Sequence, residues 1–258
     1  AADLQTIQKA PQAALNIVRR KKWALAMEQH FGTPFLHVAD MQEWHGIEGI
    51  SDLYRQIGKM LGCEDAVEHV LQEEYERVAA RYQELRAEFA KYKFCLIAHG
   101  IAYLPDALRV YQQDYGLPIS KICIIMNPSY QAETGLDDAM MQRFKDRIEL
   151  AKAEYGCDAE ILLEPSEEAL REAAQSCDFV ICNGHPRYAS LDVPVLYNLF
   201  DRSVWSYHGF VDIMEEVWQM LQQPQRTGSS LLLSKLAYDP VFYPMREADK
   251  DSKASREL

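Results

Sequence analysis

The sequence has few basic residues and no long apolar run, and each shortage excludes a class of protein. Its 27 lysines and arginines are outnumbered by 39 aspartates and glutamates, which gives a formal net charge of −12. Such an acidic surface repels the phosphate backbone of nucleic acids. No apolar run approaches the roughly 18 residues that a membrane helix needs, and the first ten residues lack the basic-then-apolar order of a signal peptide. We therefore expect neither nucleic acid nor a membrane among its partners.

Paired cysteines are also missing. The six cysteines contain no CxxC pair, so neither a disulfide framework nor a structural zinc site is predicted. Cys95, Cys123 and Cys182 lie inside apolar, strand-like runs, where a free cysteine behaves as a small hydrophobic residue. The sequence therefore predicts a reduced, cytoplasmic protein.

Motifs that bind phosphate or carry a serine nucleophile are absent as well. There is no GxGxxG and no GxxxxGK[ST], so the backbone cradle of a dinucleotide site or of a P-loop is missing. There is no GxSxG, which argues against an α/β-hydrolase.

From residue 93 onward the sequence alternates short apolar strands with helices. Continuously apolar strands separated by helices predict a parallel sheet covered on both faces, which is the Rossmann-like doubly wound α/β fold. Strands are predicted at 93–98, 119–126, 158–163, 178–182 and 193–199, and helices at 105–115, 137–155, 166–176 and 209–221.

The first ninety residues indicate a second, partial α/β lobe. Strands are predicted at 13–18 and 34–39, and helices at 20–31, 46–62 and 64–91. The last of these helices is long, charged and free of glycine and proline, and it has one apolar stripe, formed by Val67, Val70, Leu71, Tyr75, Val78, Tyr82, Leu85 and Phe89. We therefore expect a partial Rossmann-like lobe at 1–62, a connecting helix at 63–92, a Rossmann-like domain at 93–221 and a C-terminal tail at 222–258.

Ligands of open parallel sheets bind at the carboxyl ends of the strands, which singles out the loops after the predicted strands. These loops hold three of the seven histidines, and an imidazole can ligate a metal or move a proton. Two interpretations stay open: the loops converge on one cleft, or their polar residues are solvated. The candidate cofactor-binding residues are His99, Gly100, Asn127, His185, Arg187 and His208. No catalytic residue and no metal ligand is assigned.

Several segments, taken in order, resemble the nitrogenase component 1 family. They are LNIV at 15–18, MEQHFGTPF at 27–35, SDLYRQIGKMLG at 51–62, KFCLIAHG at 93–100 and SVWSYHGFVDIMEEVWQML at 203–221. Each is weak alone, but their order and spacing carry the resemblance over about 11–221.

The resemblance implies an oxidoreductase subunit that receives electrons from an ATP-dependent iron–sulfur reductase. It implies a second component-1-like subunit, or a copy of the chain itself, as a further partner, and an iron–sulfur cluster or metallocluster in the full-length protein. The family's subunits have three Rossmann-like domains, and this sequence is similar to the end of the second and to the third. It is therefore expected to be a C-terminal fragment that binds no cofactor by itself and is inactive alone.

Two positions depart from the pattern of the family's α subunit. That subunit has a cofactor-ligating cysteine just after LN-[IL]-V, where this sequence has Arg19 and Arg20. It also has a histidine ligand nine residues before the histidine of Tyr-His-Gly-Phe. This sequence has Leu199 at that position, and the adjacent Asn198 is the seventh candidate cofactor-binding residue. The resemblance thus favours a nitrogenase-like reductase, or a subunit that carries no active-site cofactor, over a nitrogenase α chain. The alternatives are a scaffold of the same fold for a cluster precursor or a tetrapyrrole, and an unrelated Rossmann-like binding domain.

The chain purified alone should contain little iron, because the cysteines of the resembled cluster are missing and most of its own lie in apolar runs. Elemental analysis of the purified chain checks this prediction. Iron and sulfide in near-stoichiometric amounts would contradict it.

Overall fold

The computed structural model describes residues 8–38, 43–100, 103–126, 137–182, 188, 191, 193–197 and 204–222. The predicted tail lies outside these residues apart from Gln222. The chain divides into two compact units, the first formed by Ala1–Leu85 and Phe200–Glu215 and the second by Arg86–Leu199 and Glu216–Leu258. Within the described part, no helix combines the length and the apolar character that crossing a membrane requires.

The strands and helices follow the predicted order closely. A short 3₁₀ turn, Ala10–Gln12, precedes them. In chain order they are β1 (Asn16–Val18), α1 (Lys21–Phe31), β2 (Phe35–His37), α2 (Gly46–Leu61), α3 (Glu64–Phe89), β3 (Phe94–His99), α4 (Leu104–Leu108) with a π-helical continuation (Arg109–Tyr115), β4 (Ile119–Ile125), α5 (Asp138–Glu154), β5 (Glu160–Leu163), α6 (Glu167–Gln175), β6 (Phe179–Cys182), β7 (Val195–Tyr197) and α7 (Tyr207–Gln222).

The first unit contains a small βαβ element and a helical hairpin. β1 and β2 pair in parallel, with Ile17 opposite Leu36, and α1 connects them. The hairpin of α2 and α3 packs closely onto the chain before it, because a Cβ atom at Gly49 would lie 2.6 Å from the carbonyl oxygen of Glu43. Only glycine fits at that position. The buried cluster of this unit is formed by Leu36, Val38, Trp44 and Leu53.

The first turns of α7 complete the first unit. The Phe210 ring meets the rings of His45 and Tyr82 at centroid distances of 5.8 Å and 6.3 Å. The Tyr207 hydroxyl and the Ser51 Oγ lie 2.6 Å apart in a buried hydrogen bond. Although α7 begins 118 residues after α3 ends, from Phe89 to Tyr207, edge-on and tilted ring contacts and a buried polar contact hold it in the first unit.

The second unit is built on a five-stranded sheet in the order β5-β4-β3-β6-β7. All of its pairs are parallel. The central strand β3 pairs with β4 on one side, where Ile97 lies opposite Cys123. It pairs with β6 on the other side, where Cys95 lies opposite Val180.

Both faces of this sheet are covered. One face buries Cys95, Ile97 and Cys123 against α6, which contributes Leu170 and Ala174. The alternate side chains of the same strands, such as Leu96 and Ile122, are also buried, and they point to the other face, where right-handed crossovers place α4 and α5. The predicted doubly wound α/β fold is confirmed.

The predicted helix at 105–115 changes type along its length. It is α-helical only over Leu104–Leu108 and π-helical over Arg109–Tyr115. Arg109 and Asp114 are buried and form a 3.0 Å ion pair. Residues five apart point about 140° away from each other on an α-helix, whereas the wider π turn brings them together. The ion pair and the π turn therefore support each other.

Asp114→Asn should lower the free energy of unfolding by about 3 kcal/mol, because it leaves the Arg109 guanidinium buried without its carboxylate. The matched control is Glu149→Gln, which removes an equal charge from a side chain that is 61% exposed in its pair with Lys152 and should cost less than about 1 kcal/mol. Urea unfolding measures both. The double variant Arg109→Met/Asp114→Leu should lose less than Asp114→Asn alone; a larger loss would contradict this account.

Candidate functional site

The order of the strands creates a crevice at the carboxyl edge of the second unit's sheet. From β3 the chain first adds β4 and β5 on one side, and it then adds β6 and β7 on the other. The crossovers leave β3 and β6 in opposite directions, so a gap opens outside their carboxyl ends. This is the topological switch point at which open α/β sheets bind ligands. His99 ends β3 and Cys182 ends β6.

His99 lies at this switch point in contact with a buried tyrosine. The preceding β3 residues are buried, and His99 is the first exposed residue of the strand. Its Nε2 lies 2.5 Å from the hydroxyl of Tyr188, whose side chain is only 1% exposed. One hydrogen bond therefore orients the imidazole at the edge of the sheet, and which atom donates depends on the tautomer of His99.

Gly100 allows the chain to turn sharply after His99. Its φ is +99°, in the region that favours glycine, and its N–H donates to the carbonyl oxygen of Ile125 at 3.0 Å. A Cβ atom built on Gly100 would meet nothing within 4 Å. The described residues thus leave open space beside the Cα atom of Gly100, where the chain turns after β3.

The groups nearest to His99 hold their protons firmly. Burial raises the pKa of Tyr103 to about 12, although a hydrogen bond with the main chain of His99 opposes the shift in part. Burial likewise raises the pKa of the Cys182 thiol to about 12. Both groups are therefore neutral at physiological pH. The Tyr188 phenol and the Cys182 thiol are buried, whereas the His99 imidazole is exposed, so the imidazole is the group that a ligand can reach.

A carboxylate stands farther along the same edge. Glu164 follows β5 with a φ of +48°, which is uncommon for a residue other than glycine. Its N–H donates to the carbonyl oxygen of Ile124 at 2.9 Å, and its carboxylate accepts a hydrogen bond from the N–H of Met126. This turn fixes the end of β5 against the end of β4, and such backbone strain is common near functional sites.

The structure locates three of the seven candidate residues. His99 and Gly100 lie at the switch point of the second unit. His208 lies in the first turn of α7, in the first unit, and its side chain is 76% exposed and 3.8 Å from Asp212. That these histidines share one cleft stays a prediction. The other candidates, Asn127, His185, Arg187 and Asn198, lie outside the described residues.

Two residues at this edge were not singled out from the sequence. Tyr103 belongs to the loop HGIAYLP and Tyr188 to the loop NGHPRYAS. Neither loop has a motif that distinguishes its tyrosine from its histidine. The signal that was available is position, since both tyrosines follow a predicted strand, as the chosen histidines do.

The described residues do not fit a resident iron–sulfur cluster. Among them, no group of three or more histidines, cysteines, aspartates or glutamates is placed to hold a metal ion. All six cysteines are free, and five are buried, while Cys63 is exposed. The thiols of Cys95 and Cys123 lie 3.9 Å apart within the packed core.

Solved structures show where this fold occurs. Forty-one of their chains match this chain. One is described as "Nitrogenase Cp1 at pH 6.5", with a TM-score of 0.52 and 14% sequence identity; the match covers 86% of this chain and 52% of that chain. The chain thus spans about half the length of that structure. At this identity the likeness shows the fold alone.

Family membership rests on the sequence itself. No curated protein matches the chain. The profile of the family described as "Nitrogenase component 1 type Oxidoreductase" matches residues 1–222, which is most of the 258 residues and includes both compact units over their described parts. The chain therefore belongs to the nitrogenase component 1 type oxidoreductase family.

Proposed function

We propose that the chain is a subunit of a nitrogenase component-1-like oxidoreductase and receives electrons from an ATP-dependent iron–sulfur reductase. A second component-1-like subunit, or a second copy of the chain, completes the assembly. The observation that carries this proposal is the family match over residues 1–222, combined with a switch point that a protonatable pair, His99 and Tyr188, occupies.

In this proposal the described residues bind and orient a ligand and supply protons. The Tyr188 hydroxyl holds the His99 ring in one orientation, and the described residues leave space beside the Cα atom of Gly100 for a ligand atom. A reduction consumes protons along with electrons, and an imidazole is suited to deliver them near neutral pH. No step is assigned to a metallocluster, because the described residues do not form a ligand set for one.

The second candidate is a non-catalytic scaffold of the same fold that holds a metal-cluster precursor or a tetrapyrrole. The neutral character of the switch point favours it, because an imidazole and phenols orient a large aromatic or metal-bearing group without carrying electrons. The third interpretation, an unrelated Rossmann-like domain, is wrong, since the family is established over residues 1–222.

An ATP-dependent iron–sulfur reductase from the same genome should bind the full chain when a non-hydrolysable ATP analogue is present. Electron transfer requires close approach, and in this proposal nucleotide binding drives it. Sedimentation of the mixture, with ADP as the control nucleotide, measures the complex. If the proteins do not associate under any nucleotide condition, while the chain binds a soluble tetrapyrrole in an absorbance titration, the scaffold replaces the proposal.

Tyr188→Phe should lower the free energy of unfolding by about 1 kcal/mol, because it removes one hydrogen bond and leaves the packed ring in place. It should also change the imidazole NMR signals of His99. Tyr92→Phe is the matched control, since the Tyr92 hydroxyl accepts an exposed hydrogen bond from Gln222 and should contribute less than about 0.5 kcal/mol. Unchanged His99 signals in Tyr188→Phe would show that the hydrogen bond does not form in solution.

A further inference from the structure

The first unit contains a cavity of about 460 Å³ that the proposed electron transfer does not use. It lies between α2, the first half of α3 and the segment at the start of α7. A cavity of this size falls within the range that small-molecule ligands occupy, about 300–1,000 Å³. Its described lining residues are Ile50, Tyr54, Ala66, Val67, Val70, Leu71, Glu74, Trp205, Ser206 and Tyr207.

Two large apolar side chains in the cavity lining are exposed to solvent. The predicted apolar stripe of α3 is covered along most of its length, but Val70 is 51% exposed, and Trp205 is 40% exposed. Both line the cavity. Exposed apolar side chains gathered in a concave surface mark a binding site more often than scattered ones do.

Three aromatic side chains line the cavity, and the hydroxyl groups of its two tyrosines are already engaged. The Tyr54 hydroxyl donates to the carbonyl oxygen of Trp205 at 2.8 Å. The Tyr207 hydroxyl is bonded to Ser51 at 2.6 Å. Tyr207 is only 5% exposed, whereas Trp205 is 40% exposed. Because the π face of an aromatic ring attracts cations, the indole is the ring best placed to receive one.

Among the described lining residues, Glu74 is the charged one. Its carboxylate pairs with Arg77, which lies one helical turn farther along α3 and has a side chain that is 65% exposed. Such an exposed pair is weak, so Arg77 leaves the carboxylate available to a second cation. The partial positive charge at the start of α7 would favour an anionic ligand. However, the Ser206 hydroxyl already accepts the N–H of Gly209 at 3.1 Å, and the Glu74 carboxylate would repel an anion.

We propose that this cavity binds a small organic cation with an apolar body, such as an aryl-substituted quaternary ammonium compound. The apolar side chains of α2 and α3 receive the body, the aromatic rings receive the cationic head, and Glu74 supplies the opposite charge. The acidic chain, with a net charge of −12, further favours a cation over an anion. This inference is independent of the proposed redox role.

Calorimetric titration of the full chain with benzyltrimethylammonium tests the proposal, with neopentylbenzene as the neutral compound of the same shape. We expect the cation to bind more tightly than the neutral compound. Trp205→Leu should weaken cation binding about 2- to 30-fold, and Glu74→Gln should weaken it roughly two- to fivefold.

Two control variants match these changes. Glu73→Gln removes an equal charge from the neighbouring residue, which also pairs with Arg77, and Trp23→Leu removes an exposed indole of α1. Both should leave cation binding unchanged, and thermal unfolding verifies that all four variants fold. The proposal is overturned if the neutral compound binds as tightly as the cation or if the cation does not bind at all. It is also overturned if the control variants weaken cation binding as much as Trp205→Leu and Glu74→Gln do. A dimer of the chain that excludes the cation in sedimentation experiments would overturn it too.

Discussion

The structure of the second unit depends on β3, which is hydrogen-bonded along both edges and buried on both faces from Phe94 to Ala98. A parallel strand in this position needs neighbours on each side and helices above and below, because any uncovered face would expose a continuous apolar surface. The crossovers that supply these helices determine the order of the strands. The same crossovers open the crevice at the carboxyl edge of the sheet.

The chemistry of the candidate site follows from this arrangement. Burial of the whole strand leaves His99 as its first exposed side chain. Burial keeps the Tyr103 phenol and the Cys182 thiol protonated. The family is known for metalloclusters, but the switch point of this chain holds an imidazole beside neutral groups. The first unit differs, since its cavity combines aromatic rings with a carboxylate.

Most of the fold could be predicted because its strands are short, continuously apolar runs, and helices end at glycines such as Gly32 and Gly116. The π turn could not be predicted, since it depends on a buried ion pair between residues five apart, which a search for helical periodicity does not detect. The contact between His99 and Tyr188 joins residues 89 positions apart, and no local pattern reveals such a pair. The position of His99 was predictable, but its partner was not.

The first unit is discontinuous in sequence, and this affects how it forms during synthesis. Its second segment, Phe200–Glu215, supplies the Phe210 ring that meets His45 and Tyr82 and the hydroxyl that bonds Ser51. A ribosome makes the whole sheet of the second unit before it reaches this segment, a delay on the order of ten seconds. During that interval the surfaces of α2 and α3 that α7 later covers are exposed, and exposed apolar surface of this kind promotes aggregation.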